Sequence, residues 1–382
     1  MITEQHLRFA EGVQLDYAKA YIELGSFRAV ARKFNVNRST VDKSIARLAR
    51  RAAAADPSLH TYGAPEGYIL RGVSTLTRTE SGDPQWVKTQ IDHDQRLTLL
   101  KDALEDIVNQ HRGKLRPIAA PALCDDDLLA VYPLPDAHIG MHAWAIETGE
   151  NFDLKTAEEL YLNTYRALIS TAPKAARALF INLGDYYHTD NSRNRTERAG
   201  NALDSDSRFG KIARVALRLK QQIIDMLLQR HNQLTVIVKA GNHDENSGVL
   251  LGAALDAIYD REPRVRVSDH TEARIEVEQF GLCLIAAAHG HTGKIDTIPG
   301  YVSARWPELW GATRHRVCYT GHVHHDSVIE RPGMLVETLR TATPNDAYAA
   351  GAWYQAGRDL KCDVWHRERG RVTRVIQGLI NP

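Results

Sequence analysis

Residues 128–138 read LLAVYPLPDAH, an apolar run that ends in Asp136 and His138. A short apolar run of this kind predicts a buried β-strand. Four later segments show the same pattern. In each of them an apolar run is followed directly by side chains of types that bind metals. These segments are 178–188 (ALFINLGDYYH), 234–244 (LTVIVKAGNHD), 282–291 (LCLIAAAHGH) and 317–324 (VCYTGHVH). The five apolar runs therefore help to predict the fold class, and the polar residues that follow them help to predict the chemistry.

Helical segments separate these predicted strands. Helices are predicted over 154–171, 205–230 and 247–259, and further strand-like runs over 272–278, 334–339 and 362–376. Alternating strands and helices favour an α/β sandwich with a mixed sheet. In such folds, ligands gather at the loops beyond the strand ends. We therefore expect the polar loops to form one site.

The spacing inside the polar loops supports a shared site. Asp136 and His138 are two residues apart, as are His322 and His324, and extended residues at that spacing project to the same side. Three glycines are expected to let the backbone turn sharply as it leaves a strand, namely Gly184, Gly241 and Gly321. Oxygen and imidazole donors without thiolate suit Mn, Fe, Zn, Ni or Co. Two such ions about 3.5–4 Å apart can polarise a phosphate and stabilise its transition state.

Each loop taken alone has an ordinary structural explanation. An Asp-x-His pair at a strand end is commonly a surface pair, and a Gly-Asp step is commonly a turn. A Gly-His-x-His sequence can be an adventitious metal-binding patch. All five loops together, each after an apolar strand, favour a metal centre over these explanations.

The ordered set of loops resembles the signature of the calcineurin-like metallophosphoesterase superfamily, over roughly residues 128–340. The resemblance implies a four-layer sandwich of mixed β-sheets flanked by helices, with two divalent metal ions at the strand ends. Mn is the first expectation, and Fe, Zn, Ni or Co are alternatives. The implied metal ligands are Asp136, His138 and His324 for the first ion, Asp185 as the bridge, and Asn242, His289 and His322 for the second.

The same resemblance implies the catalytic roles. A metal-bridging hydroxide would be the nucleophile. His243 would contact the phosphate or protonate the leaving oxygen, and Asp244 would orient His243. The second motif often ends in Asp, whereas here His188 stands in that position and is a candidate substrate contact. His291 is an alternative to His289 as a ligand.

The N-terminal residues form a separate pattern. Residues 26–51 (SFRAVARKFNVNRSTVDKSIARLARR) resemble a helix-turn-helix of the repressor and recombinase type, with Ser26 as an N-cap and Asn35 in the turn. Residues 1–55 hold ten Lys or Arg and five Asp or Glu, a basic excess typical of polyanion binding. The expected DNA contacts are Asn37, Arg38, Ser39, Thr40, Lys43 and Arg47. The alternative is a small helical bundle for folding or dimerisation.

The composition of the chain and the residues that interrupt regular structure predict three segments. We expect a helix-turn-helix domain over 1–55, a connector over 56–117 and a metallophosphoesterase domain over 118–382. In the connector, Tyr68–Leu76 and Trp86–Thr89 could pair as a hairpin, and the apolar spacing over 95–111 suggests an amphipathic helix. Residues 341–382 would complete the sandwich or support a homo-oligomer.

Cysteine usage and hydropathy restrict the cellular setting. None of the four cysteines lies in a CxxC pair, so they are interpreted as reduced, mostly buried thiols of a cytoplasmic protein. No apolar run reaches the ~18 residues that a membrane span requires, and the N-terminus has no apolar signal core. A membrane role is therefore not expected.

Three functions fit these patterns. The first is a metal-dependent phosphodiesterase or nuclease that acts on DNA held by the helix-turn-helix. The second is a phosphatase or phosphodiesterase for nucleotides or phosphoproteins, with the basic loop 189–205 over the metals. In that loop, Arg193 and Arg195 are candidate substrate contacts that could clamp a phosphate. The third is a non-enzymatic DNA-binding regulator or accessory subunit.

Overall fold

The computed structural model describes residues 2–55, 73–78, 84–89, 117–191, 193–196, 200–268 and 271–380. The chain divides into two compact units, Met1–Arg96 and Leu97–Pro382.

Helices form the first part of the N-terminal unit. They are, in chain order, a 3-10 helix (Glu4–Phe9), α1 (Val13–Leu24), α2 (Phe27–Lys33) and α3 (Arg38–Ala55). Their core is a shared apolar cluster in which Ala18, Val30, Val41 and Leu48 are fully buried. Val41 and Leu48 lie on the buried face of α3, as their helical spacing predicts.

The segment between α2 and α3 is a short turn. Asn35 in this turn has a φ of 50°, in the left-handed region that asparagine tolerates. Ser26 is the N-cap residue of α2 and is extended, but its side chain makes no capping hydrogen bond. The turn and the N-cap position of Ser26 therefore agree with the sequence, although the Ser26 side chain does not cap the helix.

Two strands complete the described part of the N-terminal unit. β1 (Val73–Arg78) and β2 (Pro84–Thr89) pair antiparallel, with Val73 opposite Thr89. The hairpin predicted between 68–76 and 86–89 is confirmed for the described residues. The helix predicted over 95–111 lies outside the described residues.

The C-terminal unit contains the strands and helices of the larger pattern. Its described strands are, in chain order, β3 (Asp125–Leu134), β4 (Ala175–Asn182), β5 (Gln233–Val238), β6 (Val265–Val267), β7 (Ile275–Phe280), β8 (Cys283–Ala288), β9 (His315–Thr320), β10 (Ser327–Arg331), β11 (Met334–Thr338), β12 (Asp359–His366) and β13 (Gly370–Gly378). Its described α-helices are α4 (Ala145–Thr148), α5 (Leu154–Thr171), α6 (Phe209–Arg230), α7 (Ser247–Tyr259), α8 (Ile298–Arg305), α9 (Pro307–Ala312) and α10 (Ala347–Gly351).

The strands form two mixed sheets. One has the order β13-β12-β3-β4-β5-β6, in which β3 to β6 are parallel, β12 is antiparallel to β3, and β13 is antiparallel to β12. The other has the order β10-β11-β9-β8-β7, in which β11, β9 and β8 are parallel and the outer strands are antiparallel. Parallel neighbours end at the same edge, so the loops after β3, β4 and β5 meet, as do those after β8 and β9.

Alternation along the strands places the sheets in the centre of the unit. On β3, Val131 joins a buried cluster with Ile285 of β8 and Val317 of β9, so this face packs on the other sheet. Tyr132, on the opposite face, packs in a cluster with α5, α6 and α7. The outer face of the second sheet packs on α8. The predicted arrangement of mixed sheets flanked by helices is thus confirmed as four layers.

A buried ionic cluster joins the two sheets. Glu337 of β11 and Asp363 of β12 are each 1% exposed. Arg371 and Arg374 of β13 bond to both carboxylates, with 2.6 Å from Arg371 Nη1 to Glu337 Oε1. Burial would raise the pKa of Asp363, but Arg374 outweighs burial and lowers it.

Element boundaries differ from the prediction at a few places. Helices α5 and α7 begin and end where the sequence predicts them. The run over 362–376 is not one strand but the hairpin of β12 and β13, because the turn at 367–369 reverses the chain. All four cysteines are free, and three of them are buried.

Among the described residues, no helix combines the length and apolar character needed to cross a membrane.

Candidate metal centre

Side chains from all five polar loops converge at the ends of the parallel strands. They form three groups, and within each group the donor atoms lie within 4.8 Å of one another. The groups are Asp136, His138 and His324; Asp185, His289 and His322; and His138, His188 and His243. The first two groups contain six of the seven predicted ligands. The seventh, Asn242, places Oδ1 3.1 Å from Nε2 of His289, beside the second group.

The first group is built around a buried carboxylate. Asp136 is fully buried, and its two oxygens each accept the backbone N–H of His322 at 2.9 Å. The Nε2 atoms of His138 and His324 face each other at 3.2 Å, and the latter lies 3.6 Å from Asp136 Oδ1. Two facing imidazole nitrogens beside a carboxylate are a donor set for a divalent cation.

The second group shows why one particular nitrogen faces the centre. His289 Nδ1 lies 2.8 Å from the carbonyl oxygen of Leu183. Because a carbonyl only accepts, Nδ1 carries the proton and donates it. Nε2 therefore remains for a ligand, 3.2 Å from Asp185 Oδ2. A backbone acceptor behind a metal-binding histidine selects the tautomer in this way.

His289 and Asp185 of the second group shift each other's pKa. Burial opposes protonation of His289, but the Asp185 carboxylate outweighs burial and raises the pKa of His289 to about 9. Burial would likewise raise the pKa of Asp185, but His289 holds it well below its usual range. Burial lowers the pKa of His138 well below its usual range, which leaves that imidazole neutral.

The backbone at these residues is not extended. The φ angle is positive at five of the predicted ligands: Asp136 (43°), His138 (45°), Asp185 (50°), His322 (73°) and His324 (56°). The expectation that Asp136 and His138, or His322 and His324, converge because they are extended is therefore wrong. The strands end before these residues, and the left-handed turns that follow aim the side chains together. Non-glycine residues in this region are uncommon and collect at functional sites.

The three glycines serve two purposes. Gly184 has a φ of 96° and makes the sharp turn that the sequence predicts. Gly241 and Gly321 are not in the left-handed region, so their predicted role as turn residues is wrong. A Cβ at Gly241 would overlap Asp185 Oδ1, and a Cβ at Gly321 would overlap Asp136 Oδ2. These positions are glycine because a carboxylate passes close to the backbone.

His243 is held by a backbone oxygen. Its Nδ1 lies 2.9 Å from the carbonyl oxygen of His188, so Nδ1 donates and Nε2 is left for a proton or a ligand. Its own backbone N–H donates to Asp185 Oδ1 at 2.8 Å. The ring also contacts His138, with centroids 4.7 Å apart. His243 is thus oriented toward the same centre as the two groups.

Asp244 has a different contact from the one expected. Its carboxylate accepts backbone N–H groups from Asp185, Tyr186, Tyr187 and Gly241, at 3.1, 2.8, 3.2 and 2.7 Å. Burial and the Asp185 charge raise its pKa to about 7. Among the described residues, the structure shows no hydrogen bond from Asp244 to the His243 ring. Asp244 therefore joins two loops, and the His188 carbonyl orients His243.

His188 lies beneath the centre. It is 1% exposed, its Nδ1 is 3.4 Å from Nδ1 of His138, and its ring stacks on His243 at 5.5 Å. Burial and the neighbouring His243 lower its pKa to about 3. Its ring contacts two other imidazoles of the site, and its role as a substrate contact stays a prediction.

The loop over 189–205 is only partly free. Arg195 Nη1 donates to the carbonyl oxygen of Gly200 at 2.7 Å, whereas Arg193 is exposed. His325 is exposed. His291 lies beside His289, with ring centroids 5.0 Å apart. Burial, and then the charge of His289, lower its pKa to about 4.

Two supporting residues escape the sequence patterns. Asp190 is buried and accepts the backbone N–H groups of Asn246 and Ser247, at 2.8 and 2.7 Å, which anchors the loop after β4 to the start of α7. Lys220 of α6 is fully buried and donates to Asn182 Oδ1 at 3.1 Å. Neither contact could be found from spacing, because the partners are distant in the chain.

The predicted DNA contacts are all exposed in the N-terminal unit. Asn37 precedes α3, and the other five lie on it: Arg38, Ser39, Thr40, Lys43 and Arg47. Arg51 instead donates to the carbonyl oxygen of Phe9, within the unit.

No family model matches the chain, and no curated protein matches it. Solved structures similar to it include a conserved protein of Streptococcus pneumoniae described as a predicted phosphoesterase (10% identity, 65% of this chain and 98% of that one, TM-score 0.26). Others are vacuolar protein sorting 29 of Cryptosporidium parvum (16%, 67% and 100%, TM-score 0.31) and an archaeal phosphodiesterase (12%, 65% and 99%, TM-score 0.32). Likeness at this level carries no conclusion about the chemistry of this chain.

Proposed function

We propose that this protein is a dinuclear metal-dependent phosphoesterase that favours phosphodiesters. The observation that carries the proposal is the convergence of six Asp and His donors in two adjacent groups, each with its donor atoms within 4.8 Å. Asn242 adds an amide oxygen to the second group. Seven donors from five loops are more than a single ion needs, and their division into two groups supports two ions.

The residues fit hard or borderline divalent ions. The donors are carboxylate, amide and imidazole groups, which suit Mn, Fe, Zn, Ni or Co. Asp136, His138 and His324 would hold one ion, and Asn242, His289 and His322 the other, with Asp185 between them. When bound, such ions supply positive charge that stabilises the phosphoryl transition state and lowers the pKa of water.

The protein groups around the ions have separable tasks. Leu183 fixes the His289 tautomer through its carbonyl oxygen, and Asp244 holds the loop that carries Asp185. His243 has its Nδ1 proton committed to the His188 carbonyl. Its Nε2 can therefore carry the proton that a departing alkoxide requires, as general acids do.

DNA is the substrate that the N-terminal unit favours. Arg38, Lys43 and Arg47 are exposed on α3, with no salt bridge shown for them among the described residues. Exposed basic residues on a helix can contact phosphates, and such a helix can enter the major groove. We therefore propose a nuclease whose DNA is held by these helices. Nucleotides or phosphoproteins remain alternative substrates of the same centre.

The test is a hydrolysis assay of the full chain with Mn²⁺. It compares labelled single- and double-stranded DNA with bis-p-nitrophenyl phosphate and p-nitrophenyl phosphate, with Asp185→Asn as the blank. DNA cleavage that disappears in the variant is the expected result. Hydrolysis of the small esters with intact DNA would retain the phosphoesterase and reject the nuclease. No hydrolysis of any ester, with Mn²⁺ or with Fe²⁺, Zn²⁺, Ni²⁺ or Co²⁺ in its place, would leave the non-enzymatic regulator as the better account.

A further inference from the structure

A pocket of about 300 Å³ opens directly beside the second donor group. His289 lies in its wall, and the loop 290–294 after β8 forms its rim. Helix α8 and the first residues of β7 close the other sides. A molecule whose phosphate lies at the donor groups would therefore have this pocket next to it. Its volume is at the lower end of the range for small-molecule sites.

His291 in this pocket has unused hydrogen-bonding capacity. Both ring nitrogens are buried, and neither has a hydrogen-bond partner. Buried polar atoms are nearly always paired, since an unpaired one loses its contact with water and gains nothing in return. An imidazole with unpaired nitrogens in the wall of a pocket points to a ligand with a polar group that reaches the ring.

The rest of the lining combines apolar, aromatic and cationic groups. Ile275 and Ile298 contribute an apolar floor, while Tyr301 of α8 is 53% exposed. Lys294 is exposed and has no ion pair or hydrogen bond from its amine among the described residues. Arg274 lies 3.9 Å from Glu245, a loose contact. The pocket thus offers a flat ring for stacking and two cations for phosphate.

We propose that this pocket binds the nucleoside of a nucleotide ester whose phosphate lies at the metal centre, which presupposes the phosphoesterase function proposed above. The base stacks on Tyr301, and its polar edge pairs with one nitrogen of the His291 ring. Lys294 and Arg274 contact the phosphate side. A planar heterocycle is the ligand that meets an exposed aromatic ring, an apolar floor and an unpaired imidazole nitrogen together.

A binding measurement tests the pocket without relying on turnover. Calorimetry of the full chain, in Mn²⁺ and again in EDTA, compares uridine 5′-monophosphate with ribose 5-phosphate, which differ only in the base. We expect the nucleotide to bind about tenfold more tightly, because base stacking on an aromatic ring contributes about that factor or more. Tyr301→Ala should abolish this preference and Tyr301→Phe should keep it. Tyr348→Ala, at an aromatic side chain that is 75% exposed, is the matched control.

Lys294 should act on the phosphate and not on the base. Lys294→Ala is expected to weaken both ligands by a similar factor, whereas Lys155→Ala, at another exposed lysine, should change neither. Equal affinity of wild type for the two ligands, or an unchanged base preference in Tyr301→Ala, overturns the nucleoside pocket.

A hydrolysis measurement separates this pocket from the metal chemistry and identifies the source of the nucleoside. Tyr301→Ala is compared with wild type on the p-nitrophenyl ester of thymidine 5′-phosphate and on a labelled single-stranded oligonucleotide, each relative to bis-p-nitrophenyl phosphate. A loss of about tenfold on the free ester identifies free nucleotides, and a loss confined to the oligonucleotide identifies a strand end. Loss on neither, with bis-p-nitrophenyl phosphate still hydrolysed, rejects the pocket and keeps the phosphoesterase. Absence of hydrolysis in wild type rejects the phosphoesterase, while the calorimetry still decides the pocket.

Discussion

Two histidines of the candidate metal centre are oriented because the second nitrogen of each ring is already hydrogen-bonded. His289 and His243 each donate Nδ1–H to a backbone carbonyl oxygen, from Leu183 and His188. Each imidazole is thereby held in one tautomer with Nε2 directed at the centre. The histidines could be predicted from the sequence because each follows an apolar strand. The carbonyl partners could not, since a side-chain pattern does not show which backbone atom it meets.

The two central residues should differ in what their loss changes. Asp185→Asn removes a charge from the second donor group and is expected to lower kcat by about a thousandfold or more. His243→Ala should lower kcat by about a hundredfold or more on an alkyl ester, but much less on a p-nitrophenyl ester, whose phenolate leaves without a proton. Steady-state kinetics on both esters measures this. An equal loss on both esters would show that His243 is not the acid.

A buried histidine outside the site should make stability depend on pH. His231 is fully buried, donates Nδ1–H to the Ala175 carbonyl at 2.7 Å and accepts from the Tyr132 hydroxyl at 2.9 Å. Burial lowers its pKa from 6.5 to about 4. Between these values the unfolded chain binds a proton that the folded chain does not. The stabilisation is therefore complete above pH 6.5 and is lost as the pH falls toward about 4.

The expected size of this loss is about 3 kcal/mol in the free energy of unfolding. Urea titrations at several pH values should show a smaller slope over this range in His231→Gln. His325→Gln, at an exposed histidine, should keep the slope of wild type. An unchanged slope in His231→Gln would mean that His231 titrates normally in the folded protein.

At the level of elements, the donor groups depend on how the strands end. Helices α5 and α7 and all five strands of the motifs could be predicted, because apolar periodicity is a local property of the sequence. The left-handed backbone at Asp136 and His324 could not, because such a conformation is favoured only when the surrounding loops impose it. The geometry of the ligands therefore follows from the loops, although the choice of ligands follows from the motifs.

Close packing at one of these loops gives a direct test. In Gly321→Ala, the new Cβ would overlap Asp136 Oδ2, so the carboxylate must leave its position beside His324. We expect the affinity for Mn²⁺ to fall by about tenfold or more with the circular dichroism spectrum unchanged. The control is Gly311→Ala on α9, where a Cβ meets nothing within 4 Å. The same metal affinity in both variants would argue against a cation between Asp136 and His324.

At the level of the whole molecule, the chain joins a basic helical unit to a four-layer α/β unit. The spacing of apolar residues along the chain indicates both units, because this spacing differs between them. The ionic contacts between the sheets could not be predicted from the sequence, because they join residues of three separate strands. These residues are Glu337, Asp363 and the arginines of β13. From the sequence alone, acidic and basic residues on strands are expected to face solvent, because their ion-pair partners are not known.

The DNA-binding role of the N-terminal unit predicts a salt-dependent effect. Arg38→Ala combined with Arg47→Ala should weaken binding to duplex DNA and lower the slope of log affinity against log salt by about two. Hydrolysis of bis-p-nitrophenyl phosphate should be unaffected, because neither residue belongs to the donor groups. The control is Lys155→Ala combined with Arg166→Ala, which removes two exposed charges from α5. DNA affinity equal to that of wild type in the double variant of α3 would reject the DNA-binding surface.

The central claim is that two divalent ions are held by the donors that follow the five strands. The most direct measurement is the metal content of the full chain after equilibrium dialysis against Mn²⁺, determined by mass spectrometry for wild type and Asp185→Asn. Two ions per chain in wild type, with fewer in the variant, is the result that this account predicts. No bound ion in wild type, or the same content in Asp185→Asn, would contradict it.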